Sequence, residues 1–171
     1  MSFEQLQDKI ESSAVRNVAN HWNDARGARP MPAWSDIKPG AIARQLPIIW
    51  SWKYNASADS FEGRLSGDKI IEALGGNLRG QDAEDFFKDR GGKSMVDRMR
   101  RVVSGPCFFY GKGAVFTHTK RVVTGERIIL PLSEDGATAD GILGITTYHA
   151  ADLSESGDDF PTSEISEFIS L

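Results

Sequence analysis

The side chains able to do chemistry in this 171-residue chain are few, and none falls into a catalytic spacing. His118 shares one face of a strand-like stretch with Phe116, Lys120 and Val122, so it could ligate a haem iron or hydrogen-bond a ligand. A solvated or core-edge histidine explains it as well. His21 and His149 stand near opposite ends of the chain with no carboxylate or histidine at metal-ligand spacing. Cys107 is the only cysteine, which excludes a disulfide framework, a cysteine zinc site and a CxxC redox pair. It has no neighbouring histidine or other base in sequence, so no nucleophile-base pair is assembled around it.

The glycines of Gly75-Gly76-Asn77-Leu78-Arg79-Gly80 lack the Lys-Ser/Thr ending and the preceding strand of a phosphate-binding loop. Asp82, Glu84 and Asp85 open a helix, where capping and the helix dipole account for acids. Arg64 and Arg121 could present paired donors to an anion, although strand parity turns Arg64 away from the Phe61 and Leu65 face, toward solvent. Arg98, Arg100 and Arg101 lie off the apolar stripe of their helix and read as a solvated face. Trp50, Trp52 and Tyr54, with Phe86, Phe87 and Met99 from the helices that must cover them, form either a packed core or the wall of an apolar pocket. Tyr110 and His118 complete the candidate ligand-binding set, and no residue is assigned a catalytic or metal-binding role.

The elements that would position these residues follow from periodicity. Phe3, Leu6, Ile10, Ala14, Val18 and Trp22 recur at helical steps, giving one amphipathic helix to about Asp24, ended by Gly27 and the prolines at 30 and 32. Ile48, Trp50, Trp52 and Tyr54 alternate along a strand that pairs with Phe61–Ser66 in a hairpin. Short helices are expected from Asp68 to Leu74, stopped by Gly75-Gly76, and from Asp82 to Phe87. A third carries Met95, Val96, Met99, Val102 and Val103 up to Gly105-Pro106. Strands follow near Ala114–Val123, Glu126–Leu132 and Gly141–His149. Turns are expected at Gly111-Lys112-Gly113, Thr124-Gly125 and Glu134-Asp135-Gly136, and alternation leaves open whether Cys107–Tyr110 joins the first strand.

Six acids and no Lys or Arg fall after Ala150, so the rest of the chain carries a net +2 against the overall −4. Neither part offers a basic field for nucleic acid. In the acidic tail, Ile165, Phe168 and Ile169 have helical spacing, so a short docked helix or a mobile end is expected. No run approaches the length of a membrane span and the charged N-terminus is unlike a signal peptide, so a cytoplasmic protein is expected.

Two strands, several short helices and three more strands is the order of a PAS domain. The segments Arg29-Pro30-Met31-Pro32, Leu46-Pro47, Phe61–Gly67, Gly76–Gly80 and Leu130–Gly136, in this order, resemble a bacterial, largely proteobacterial, family of small stand-alone PAS-like proteins. The resemblance implies an α+β fold, a five-stranded antiparallel sheet with helices on one face and an N-terminal amphipathic helix. It divides the chain into the helix at 1–26, the PAS-like domain at 27–149 and the acidic tail at 150–171. It further implies a sensory or regulatory module without catalysis of its own and without an output domain. Such a module binds a small molecule or a signalling partner and forms a homodimer through the N-terminal helix.

The cofactor is left unidentified. The flavin light sensors of this fold carry their reactive cysteine on a helix after the hairpin, whereas Cys107 lies beyond all three helical segments. The haem sensors take their histidine from the helical segment, which holds none here. Two rival readings stand beside the sensor. One is a cone-shaped α+β enzyme of the nuclear-transport-factor type with an apolar cavity, which the early hairpin argues against, and the other is a ligand-free structural adaptor.

Overall fold

The computed structural model describes residues 2–90, 92–116, 123–150 and 164–171. The chain opens with two helices, α1 (Ser2–Lys9) and α2 (Ser13–Arg26), followed by 3₁₀ turns at Trp34–Asp36 and Pro39–Ile48. The hairpin β1 (Ile49–Asn55) and β2 (Ser60–Ser66) comes next, then α3 (Asp68–Leu74), α4 (Ala83–Phe87) and α5 (Lys93–Ser104). Strands β3 (Cys107–Phe116), β4 (Val123–Leu132), β5 (Gly141–Ala150) and β6 (Glu164–Ser170) complete the sheet, all pairing antiparallel in the order β2-β1-β5-β4-β3-β6.

The single N-terminal helix expected from periodicity is two helices, interrupted at Ile10-Glu11-Ser12. The carboxylate of Glu126, far along the chain on β4, accepts the backbone N–H of Glu11 and of Ser12, each at 2.8 Å. The Arg16 guanidinium donates to the carbonyls of Gln7 and Ile10, and Ser12 caps α2 through the N–H of Val15. Backbone groups that a continuous helix would have satisfied internally thus find side-chain partners. The apolar stripe survives the break: Leu6, Ile10, Val15, Val18 and Trp22 are all buried within this one chain.

Strand alternation gives the sheet two different faces. Phe108, Tyr110, Glu126, Ile128, Leu130 and Ile145 share one of them, beneath α1 and α2, where Trp22 meets Phe108 edge-on at 5.2 Å. Trp50, Trp52, Phe109, Arg127, Ile129, Gly144 and Thr146 share the other, beneath α3, α4 and α5. The three short helices therefore cover one face as anticipated, and the N-terminal pair closes the opposite one.

Helix boundaries after the hairpin match their sequence signals. Gly75 ends α3 in the left-handed conformation at φ 71°, where a side chain would strain the backbone. Asp82 caps α4 by accepting from the N–H of Asp85. The strands need more correction. Gly111-Lys112-Gly113 lies inside β3 and Thr124-Gly125 inside β4, so neither is a turn. At Gly125 a Cβ would stand 1.9 Å from the Thr147 carbonyl oxygen, so the glycine permits strand contact there. The Ser133–Asp140 loop does turn where expected, with Gly136 at φ 76°.

The sheet has six strands where five were anticipated, because residues 164–170 form β6 on the edge of β3 and no helix. Ile165 is 79% exposed while Phe168 stacks edge-on against Phe109 at 5.2 Å and Ile169 is buried. An unpaired β3 edge nearby outcompetes the helical reading of so short a run, since isolated helices of this length are marginal.

Candidate functional site

Between the sheet and α3–α5 lies a cavity of about 150 Å³, joined through shared walls to a recess of about 20 Å³. Leu74, Phe87, Met95, Phe116 and Arg127 line both. Arg90, Arg98, Val115 and Glu164 belong to the larger cavity, and Trp50, Trp52, Leu78 and Thr146 to the recess. A wider hollow of about 490 Å³ at Ser13, Asn17 and Arg44 lies on the outer surface and is lined by no buried charge.

Each wall has a local cause. Trp50 points into this layer because β1 alternates, and its indole Nε1 donates to Thr146 Oγ1 at 2.9 Å on β5. Its partner across the ladder is Gly144, where a Cβ would fall 2.1 Å from the indole ring, so glycine makes room for the tryptophan. Trp52 packs against Phe86 and Phe87 at 6.0 and 5.7 Å between ring centres, with its own Nε1 buried and lacking an acceptor among the described residues. Gly92 fits under Phe87, since a Cβ there would sit 1.8 Å from that of Phe87.

The electrostatic centre is Arg127 on β4, only 2% exposed. Its guanidinium donates to the Val115 carbonyl and to Met95 Sδ, and it lies over the Phe116 ring with 5.5 Å to the centroid. Glu164 of β6 supplies the counter-charge, with Oε1 3.1 Å from Arg127 Nε and Oε2 2.5 Å from Arg98 Nη1. The Arg127 contact is close in distance but misaligned, so Nε and Oε1 both lack a hydrogen-bond partner among the described residues. Loss of hydration lowers the Arg127 pKa to about 10 against the pull of Glu164, and the guanidinium stays charged at neutral pH. Arg90 donates to the carbonyls of Leu74 and Phe86 and covers the Phe86 ring.

Of the side chains singled out from sequence, Trp50, Trp52 and Phe87 line this space, and Phe86 backs Trp52. Met99 is fully buried in the core one turn from Met95, which takes the wall position. Tyr54 sits at the hairpin end, its ring packed at a tilt on Phe61 and its hydroxyl donating to Asp59. Tyr110 is on the opposite face, where its hydroxyl donates to Glu126 at 3.1 Å. His118 and Arg121 lie outside the described residues.

Two arginines differ from their expected solvation. Arg98 is half-buried against Glu164, and Arg64 is half-buried over the Trp34 ring at 4.7 Å with Nη1 buried and lacking an acceptor among the described residues. Arg127 and Glu164 escaped notice because their strand and tail gave no local reason to bury a charge. The signal available was parity: Arg127 alternates with Glu126, so one of the two had to point inward on either assignment.

Among the described residues no three His, Cys, Asp or Glu side chains group as a metal site would require, and no helix is long and apolar enough to cross a membrane. His21 accepts the backbone N–H of Lys38 at 2.9 Å, and His149 is exposed on β5. Cys107 is buried with its thiol pKa raised by desolvation, an inert setting for a nucleophile.

A comparison with protein-family models matches residues 10–147 to the PAS domain. No curated protein and no solved structure matches the chain. With its early hairpin and that strand order, the sheet leaves no place for the cone-fold alternative. Hairpin, short covering helices and the return strands all fall within the matched segment, and the chain belongs to the PAS domain family.

Proposed function

We propose that this protein is a bacterial, cytoplasmic sensor that holds a small molecule between its sheet and α3–α5 and passes the signal to a protein partner, without catalysing a reaction. The observation that carries this reading is the cavity of about 150 Å³ whose wall contains a buried, charged guanidinium. A packed structural core has no need of such a group, because burying an ion pair gains little over apolar side chains of the same volume. A void of this size beside a fixed polar group is instead a place for a ligand with a polar end.

The buried Trp52 indole N–H supports the same reading, as a donor awaiting an acceptor. The non-catalytic part of this reading is supported by the company the charged groups keep: Arg127 and Glu164 pair with each other, and Cys107 is buried away from the cavity walls. A homodimer remains part of the proposal, with one constraint. The apolar stripe of α1 and α2 is spent on this chain's own sheet, so the dimer surface would be the polar outside of those helices.

Native and denaturing mass spectra of one purified sample test the ligand. A mass excess lost on denaturation is expected, and its absorption spectrum separates flavin or haem from a colourless metabolite. An apo mass combined with no thermal shift across a panel of small metabolites overturns the sensor reading in favour of an adaptor.

A further inference from the structure

Resting on the cavity being a ligand site, we propose that its ligand is a small carboxylate with a ring-sized apolar body, which replaces Glu164 on Arg98 and Arg127 and releases β6 from β3. Charge is the first argument. Among the described residues three guanidinium groups, those of Arg90, Arg98 and Arg127, line the cavity against the single carboxylate of Glu164. Arg90 is held by two carbonyls and the Phe86 ring and by no carboxylate among the described residues, so the described wall is left with a positive excess.

Geometry is the second argument. Glu164 reaches Arg127 at 3.1 Å without an aligned hydrogen bond, leaving Nε and Oε1 both unmet. A free carboxylate is not tethered to a strand and can lie in the guanidinium plane, forming the two parallel bonds that Glu164 misses. The exchange is conservative in charge, which matters because Arg127 is too deeply buried to stand without a counter-ion. Glu164 is in this sense an internal stand-in for the ligand.

Size and lining define the remainder of the molecule. Leu74, Phe87, Met95 and Phe116 make the wall apolar away from the arginines. A void of about 150 Å³ is what a benzene-sized body fills.

Apart from its backbone ladder to β3, the strand that carries Glu164 has few side-chain anchors. Ile169 is the one fully buried apolar side chain of β6, and Ile165 faces solvent. Lys9 to Glu167 is an exposed ion pair of small worth, and Phe168 rests half-buried on Phe109 beneath Arg101. Losing the buried Glu164 pair therefore removes the principal side-chain anchor at the start of the strand. Departure of β6 bares the hydrogen-bonding edge of Cys107–Gly113 on β3, a surface to which a partner strand can add.

Benzoate and the neutral benzyl alcohol, added to the full chain, test this. Benzoate is expected to shift the Met95 methyl resonance and to speed amide exchange at residues 165–170 by about tenfold or more, with benzyl alcohol leaving β6 protected. Arg98→Gln should weaken benzoate binding about tenfold, and Glu164→Gln should tighten it by a similar factor. Should Glu164→Gln fail to fold, Arg98→Gln and the exchange data on the unaltered chain decide the matter.

Equal binding of both probes, or benzoate binding with β6 still protected, overturns the proposal and leaves the sensor reading standing with another ligand chemistry. Binding of neither probe at millimolar concentration also overturns it. The sensor reading fails with it only if the native mass spectrum is apo and the metabolite panel gives no shift.

Discussion

The indole N–H of Trp22 donates to the backbone carbonyl of Pro131 at 2.8 Å, joining the last full turns of α2 to β4 across 109 positions of sequence. The same ring stacks on Phe3 at 6.4 Å and meets Phe108 edge-on. The N-terminal segment, expected from sequence to serve dimerisation, is thus part of the hydrophobic core.

Trp22→Ala is expected to cost about 3–5 kcal/mol, from lost apolar burial, a cavity and an orphaned carbonyl. Deleting residues 1–26 bares Phe108, Ile128, Leu130 and Ile145 and should abolish the cooperative thermal transition. Circular dichroism on both chains checks this. A truncated chain that melts like the full one would show that α1 and α2 are an appendage after all.

Gly63 sits where the Gly76–Gln81 loop crosses β2, bonded through its N–H to Gln81 and through its carbonyl to Gly80 at 2.9 and 2.8 Å. A Cβ at this position would stand 1.8 Å from the Leu78 carbonyl oxygen, a backbone atom unable to swing aside. Gly63→Ala should destabilise by about 1–3 kcal/mol through forced separation of loop and strand. Gly40→Ala, with open space around it, should stay within about 0.5 kcal/mol. Urea denaturation of the pair measures the contrast.

Tyr110 and Glu126 form a buried polar pair on the face opposite the cavity. Burial first, and then the Glu126 charge, push the phenol pKa well above its ordinary value. Tyr110→Phe removes one of three donors to Glu126 and should cost about 1–3 kcal/mol. Because the residue is no part of the cavity wall, ligand retention in the native mass spectrum should be unchanged.

Asp135 holds the β4–β5 loop by accepting from Ala137 N, Thr138 N and Ser133 Oγ at 2.8, 2.7 and 2.8 Å. Those donors lower its pKa to about 2. The folded value lies below the unfolded one, so the stabilisation is complete above the unfolded pKa of about 4 and is lost as pH falls through about 2. Asp135→Asn should lower the urea midpoint near neutrality, and the gap from the unaltered chain should close between about pH 4 and 2. A gap independent of pH would mean that the carboxylate charge contributes nothing to the loop.

The sequence by itself determined the elements whose signals are local. Asp68 to Leu74 with its glycine stop, the Asp82 cap, the alternating β1 and the valine and methionine stripe of α5 each encode their geometry within a few residues. Trp50, Trp52 and Phe87 could be placed at the sheet-helix interface for the same reason, since their parity or stripe was readable in place.

Tertiary structure decided what depends on a distant partner. The break between α1 and α2 needs the Glu126 carboxylate, and β6 forms because β3 presents an open edge. Arg127 is tolerated in the core because Glu164 arrives from another strand. A charge buries only when its counter-charge is brought to it by the fold, and no local window of sequence contains both members of such a pair.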